Sequence, residues 1–162
     1  MSVTLHTSLG DIKIEVFADL VPIAAEKFLK LCASNSYDGN KFHRNIKAFA
    51  IQCGKSVESI DISSGNNNDN ANGISADEFH SDLKFDRRGL VAFASPVQFF
   101  ITYAPQEQLN NQYPIFGQIV GDSGTMLTLS KMENSTTNAK NKPLVDIKIR
   151  DITIHANPLA TA

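Results

Sequence analysis

Ser2-Val3-Thr4-Leu5-His6-Thr7, then Ser8-Leu9-Gly10, then Asp11-Ile12-Lys13-Ile14-Glu15-Val16 decide the class of the fold. Val3 and Leu5 point one way, Ser2, Thr4 and His6 the other. After the turn, Asp11, Lys13 and Glu15 alternate with Ile12, Ile14 and Val16. Successive side chains on a strand leave opposite faces, so a period of two marks a half-buried antiparallel hairpin. A similar alternation closes the chain. Val145, Ile147 and Ile149 share one face, but Ile152 and Ile154 fall out of phase by one residue at Arg150-Asp151. A β-bulge there absorbs the slip and keeps both halves turned to the core.

Working inward, Pro22 suits the first turn of a helix, and Ala24, Ala25, Phe28, Leu31 and Cys32 then recur at helical spacing. Ser34-Asn35 and Asp38-Gly39 end that helix. Short strands are expected at 41–43, 49–54, 89–94, 99–102 and 115–119. A second helix should run from about Ser123 to Met132, capped by Asp122 or Ser123. Residues 55–76, with their run Asn66-Asn67-Asn68-Asp69-Asn70, carry too little apolar surface to offset ordering entropy and read as a long surface loop. About eight short strands and two helices, with apolar strands at both chain ends, predict a mainly β fold. The expected form is a closed eight-stranded antiparallel barrel capped by two α-helices, its terminal strands paired and residues 1–162 forming one domain.

Composition excludes several classes of function. In 162 residues, 15 Lys and Arg against 17 Asp and Glu give a formal charge of -2. That is no electrostatic footprint for nucleic acid or an anionic membrane. No apolar run is long enough to span a bilayer. Cys32 and Cys53 form no CxxC, and His6, His43, His80 and His155 are too scattered for zinc-ligand spacing, so no metal is expected. The apolar neighbours of both cysteines read as a core in a reducing compartment, and the alternating N-terminus lacks a signal peptide's apolar segment. These features read as an intracellular, soluble protein.

Neither a nucleophile–base pair nor a phosphate loop is legible. What remains is Phe42-His43-Arg44, Phe49 with Gln52, and Gln98-Phe99-Phe100-Ile101. Strand alternation allows one face to carry Arg44, Gln52, Gln98 and Phe100 together, a cation and two amides beside an aromatic wall. From spacing alone, an ordinary ion pair at a barrel rim is the better reading of Arg44.

Over almost its whole length the chain resembles the cyclophilins, the peptidyl-prolyl cis-trans isomerases. The resemblance is carried by 7–12 (Thr7 to Ile12), Phe42-His43-Arg44-Asn45-Ile46, Gln98-Phe99-Phe100-Ile101-Thr102 and Ile115-Phe116-Gly117. The opening seven residues and the ending Asp151 to Pro158 are similar to the small spliceosome-associated subgroup, cyclophilin-like 3. The resemblance implies acceleration of X-Pro imide rotation in proteins, with a role in protein folding or pre-mRNA splicing. Arg44 becomes the catalytic residue. Phe49, Phe100 and Leu109 match the proline pocket, Gln52 the amide that positions arginine and substrate, and His43, Ala94, Ser95 and Gln98 further substrate-binding positions. It implies no cofactor, proline-containing peptides or proteins as partners together with spliceosomal proteins, a monomer, and placement in nucleus or cytoplasm.

The departures are as informative. Ala50 stands where most members have methionine, Ala48 replaces the usual glycine, and Tyr113 replaces the commoner histidine while keeping an aromatic wall. Gln108 replaces the tryptophan of cyclosporin-sensitive members, which implies weak cyclosporin binding. Ala94-Ser95-Pro96-Val97-Gln98 lacks the usual glycine- and asparagine-rich loop. Two expectations follow: an isomerase with weakened activity, or a catalytically poor barrel serving as a proline-peptide-binding or scaffold module in a spliceosomal assembly.

Overall fold

The computed structural model describes residues 1–54, 78–120 and 123–155. Ser2–Thr7 (β1) and Gly10–Val16 (β2) pair antiparallel, from Ser2 opposite Glu15 to Thr7 opposite Gly10. On the other side of β1 lies the last strand, Ile149–His155 (β8), as the apolar chain ends require. His6 faces Asp151 and Thr7 faces Ile149, so Arg150 is the extra residue of a bulge where the alternation slips. Arg44–Ile46 (β3), Ala50–Gly54 (β4), Leu90–Phe93 (β5), Gln98–Thr102 (β6) and Ile115–Ile119 (β7) complete one antiparallel sheet in the order β3-β4-β6-β5-β7-β2-β1-β8.

The sheet curls into a half-barrel with two helices, and three expectations need correction. The ladder does not close into a ring: β3 and β8 are its two edges. Between them run single contacts from the segment before β3, with Gly39 N–H donating to Ile149 O at 2.7 Å and Phe42 N–H to Ile147 O at 2.8 Å. The strand expected at 41–43 is for that reason absent. Lys41 makes one isolated bridge to Lys148, and the chain then changes partner and joins β4 from Arg44 onward. Val145 is 81% and Leu144 63% exposed, outside the core and outside β8. Leu144 N–H bonds Thr136 O, which holds this stretch in a loop after Pro143 and away from the ladder.

Pro22–Ala33 (α1) drives Phe28 into the core, where its ring meets those of Tyr37, Phe93, Phe99 and Phe116 at centroid distances of 5.8, 6.3, 5.6 and 4.5 Å. Phe28 is fully buried, worth about 1.5–3 kcal/mol in transfer free energy. Cys32 and Cys53 are buried free thiols, and desolvation pushes Cys32 up to about 12, so both behave as small hydrophobes. Ser123–Glu133 (α2) packs Thr125, Thr128, Leu129 and Met132 inward and lies against β2. Gly10 permits that approach: its φ is +133° and an added Cβ would lie 2.6 Å from Thr128 Oγ1. The long polar loop and the Asp122 cap lie outside the described residues. Among the described residues no helix is long and apolar enough to cross a membrane.

The start of α1 needs help from far away. Its N-cap is Val21, which has no side-chain acceptor, yet Glu78 Oε1 accepts the Ala24 N–H at 2.7 Å from 54 residues distant. A buried carboxylate at a helix N-terminus satisfies an orphan donor and faces the positive end of the dipole. Glu78→Ala should lower unfolding free energy by about 1–2 kcal/mol in urea titration, with Glu78→Gln losing less. A fall as large for Gln as for Ala would show that the charge, not the acceptor, matters.

Candidate functional site

The register of the sheet assembles the site. Arg44 on β3 is directly opposite Gln52 on β4, Gln52 is opposite Phe100 on β6, and Phe100 is opposite Ala92 on β5. Residues paired across antiparallel strands share a face, so Arg44, Gln52 and Phe100 form one cross-strand row. Alternation adds Ala50 beside Gln52 and Gln98 beside Phe100 to that face. The opposite face, with Ile51, Cys53, Phe99 and Ile101, turns into the buried core. A cation, two amides and an aromatic ring therefore do converge, as the spacing of the sequence allowed.

Gln52 and Gln98 are both fully desolvated, and Gln52 Nε2 donates to Gln98 Oε1 at 2.7 Å. Among the described residues Gln52 Oε1 accepts no hydrogen bond. A buried amide oxygen in that condition is costly to leave so and is a ready acceptor for a ligand N–H or a reoriented donor. Gln98 is fixed by the hairpin before it. Ser95 Oγ accepts from Gln98 N–H at 3.1 Å, and Ala94 N–H donates to Gln98 O at 2.8 Å. Ser95, Pro96 and Val97 are thus a tight connection between β5 and β6, with Ala94 and Ser95 buried at its base.

Gly54, at the end of β4, sits directly under that hairpin. Its φ is +132°, and a Cβ there would lie 2.5 Å from Val97 O and 2.8 Å from Gln98 Cα. Neither backbone atom can swing aside. Gly54→Ala should cost about 2–4 kcal/mol of stability in urea titration and displace Gln98, since both φ and contact forbid a side chain. A change below about 0.5 kcal/mol would mean the hairpin is free to lift.

Phe100 is the centre of the aromatic wall. Phe85 stacks on it at 5.8 Å with planes 11° apart, and Tyr113 meets it edge-on at 5.6 Å and 87°. Phe100 and Leu109, the last residue of a 3₁₀ turn at Glu107–Leu109, are fully buried, and Tyr113 nearly so. His43, Arg44 and Phe49 are half-buried, more accessible than the rings of Phe100 and Tyr113. Burial lowers the pKa of His43; the Lys41 backbone opposes this, while Arg44 and Lys142 add to the lowering. Phe85 was not among the sequence candidates. It stands alone among Lys84, Asp86 and Arg87 with no periodic partner. Its place is set by tertiary bonds, its N–H donating to Asn110 Oδ1 at 2.7 Å and its carbonyl accepting from Gln106 N–H at 2.9 Å.

Known proteins similar to this chain in sequence and fold fall in one family. The family described as cyclophilin type peptidyl-prolyl cis-trans isomerase/CLD matches residues 2–154. The chain is 46% identical over 167 residues to peptidyl-prolyl cis-trans isomerase-like 3 of Mycosarcoma maydis, covering 99% of this chain and 96% of that one. It is 44% identical over 168 residues to the human protein of the same name, covering 99% of each. Among solved structures, a cyclophilin type peptidyl-prolyl cis-trans isomerase of Cryptosporidium parvum, crystallised in the presence of the dipeptide Ala-Pro, matches with a TM-score of 0.79 and 35% identity. That match covers 97% of this chain and 100% of the other.

Proposed function

The chain belongs to the cyclophilin-type peptidyl-prolyl cis-trans isomerases and is an enzyme of that class, and from this premise we propose that Arg44 accelerates rotation about X-Pro bonds in peptides seated over Phe100. The observation that supports this reading is the cross-strand row Arg44–Gln52–Phe100. Rotation about an imide loses resonance and faces a barrier of about 18–20 kcal/mol. In the twisted state the nitrogen becomes pyramidal and regains a lone pair. A guanidinium beside it can donate to that lone pair, an interaction the planar ground state does not offer, so the transition state is bound more tightly than the substrate. No bond to the protein forms. The proline ring lies against Phe49, Ala50, Phe100, Leu109 and Tyr113. Gln52 aligns the substrate carbonyl and the guanidinium, and His43, Ala94, Ser95 and Gln98 flank the peptide. The whole chain, 1–162, is taken as one domain, a monomer acting on proline-containing proteins.

Activity is expected to be weakened at the level of binding. Ala50 leaves one wall short, and the three-residue hairpin 95–97 offers little chain to align the residues before proline. A magnetisation-exchange NMR assay on a short X-Pro peptide tests both points. Exchange accelerated above its uncatalysed time of roughly 10–100 s, with KM high, is the expected result. No acceleration at any peptide concentration would sink the catalytic reading. A second reading draws on the same short hairpin: the half-barrel is catalytically poor and serves as a proline-peptide-binding or scaffold module of a spliceosomal assembly in the nucleus. Splicing factors recovered equally by wild type and Arg44→Ala would favour it. Recovery lost in step with catalysis would count against it.

A further inference from the structure

Ala48 lies between β3 and β4 with a φ of +65°, in the left-handed region that a residue bearing a Cβ avoids. It is exposed, so packing does not hold it there. Hydrogen bonds do. Its N–H donates to Glu133 Oε2 at 2.9 Å, and its carbonyl accepts from Gln106 Nε2 at 3.1 Å. The other oxygen of Glu133, at the end of α2, takes Arg88 Nη1 at 2.6 Å. The same nitrogen donates to Tyr103 O at 3.0 Å, and the guanidinium lies over the Tyr103 ring at 5.4 Å. Tyr103 N–H in turn donates to the carbonyl of Phe49 at 2.9 Å, and its hydroxyl to Asn45 Oδ1 at 2.7 Å. Both backbone groups of Ala48, and the carbonyl of the residue after it, are tied to one part-buried network. Burial raises the Glu133 pKa, but the hydrogen bonds from Arg88 and the Ala48 N–H, with the charges of Arg88 and Lys47, outweigh it and leave the pKa below its ordinary value.

We infer that Glu133, braced by Arg88 and assisted by Gln106, is a positioning residue for the isomerase: it holds Ala48 in a left-handed turn and thereby sets the placement of the half-buried Phe49 that follows it. It touches no substrate and acts only through the backbone. The inference rests on the reading of Phe49 as a wall of the proline pocket.

The test is KM and kcat for an X-Pro peptide by NMR exchange in wild type, Glu133→Ala, Glu133→Ala with Ala48→Gly, and Phe49→Ala, with urea midpoints alongside. Glu133→Ala should raise KM about tenfold, the equivalent of one charge-assisted hydrogen bond, and change kcat less. Adding Ala48→Gly should restore most of that KM, because glycine adopts positive φ without being clamped. A merely structural role would not be rescued at this one position. Two outcomes overturn the inference alone: Glu133→Ala leaving KM unchanged while Phe49→Ala raises it, or the double variant binding no better than Glu133→Ala. A Phe49→Ala protein with wild-type KM instead overturns the pocket reading, and this inference with it. Should Glu133→Ala not fold, Glu133→Gln, which keeps an acceptor but not the charge toward Arg88, is judged by the same rescue.

Discussion

Replacing Arg44 with alanine should lower kcat/KM for an X-Pro peptide by on the order of a few hundredfold while leaving the fold intact. The size follows from the role. One preorganised donor that acts only in the transition state is worth about 3–4 kcal/mol when removed from a largely desolvated site. Arg44 is half-buried on β3, opposite the fully buried Gln52, so its field is screened less than that of a surface cation. The loss should fall on kcat more than on KM, because a donor to the lone pair finds no target in the planar substrate. Arg44→Lys should recover little: an ammonium carries the charge but not the planar fork that reaches both a nitrogen and a neighbouring carbonyl. Exchange NMR on a short peptide reads both constants. Equal losses in KM with kcat untouched would identify Arg44 as a binding residue and remove the transition-state argument.

Phe100→Ala should cost about 3–5 kcal/mol of stability and raise KM steeply, the largest expected effect of any single truncation on this face. Its ring is fully buried, stacked on Phe85 and edge-on to Tyr113, so truncation opens a cavity between two aromatic neighbours, of which Phe85 is tied by its backbone to Asn110 and Gln106. The lost aromatic pairing adds about 0.5–1.5 kcal/mol to the transfer cost. Phe100→Leu should lose much less stability yet still weaken peptide binding, because a branched aliphatic fills volume but presents no flat face to a proline ring. Urea titration and KM together separate the two roles. If Phe100→Leu bound peptide as well as wild type, the floor of the pocket would be ordinary core and the substrate would have to sit elsewhere.

How much of this was legible beforehand depends on the range of the interaction. The β1–β2 hairpin was readable because alternation is a property of neighbouring residues, and the bulge at Arg150 because a slip by one is visible wherever one face must stay apolar. Helix α1 followed from Pro22 and the spacing to Cys32. Val145 misled for the same reason: its phase matched Ile147, but Leu144 is bonded to Thr136 and the chain around it never enters the ladder. In the site, alternation allowed Arg44, Gln52, Gln98 and Phe100 to share one face, but spacing alone favoured an ordinary ion pair for Arg44. Which residues stand opposite which could not be assigned, since register depends on turns between strands rather than on the strands themselves.

By itself, then, the chain's order of residues determined what each segment presents: apolar or polar faces, a helix start, and separate short segments carrying a cation, two amides and a ring. Only the tertiary structure decided the rest. It set the half-barrel's edges at β3 and β8, brought Glu78 across 54 residues to the start of α1, placed Phe85 against Phe100, and carried Glu133 across 85 residues to the amide of Ala48. Periodicity records burial, because burying one face constrains every second or every third to fourth residue. A single hydrogen bond or ring contact between distant segments constrains just its two ends, so it has no local pattern to leave behind.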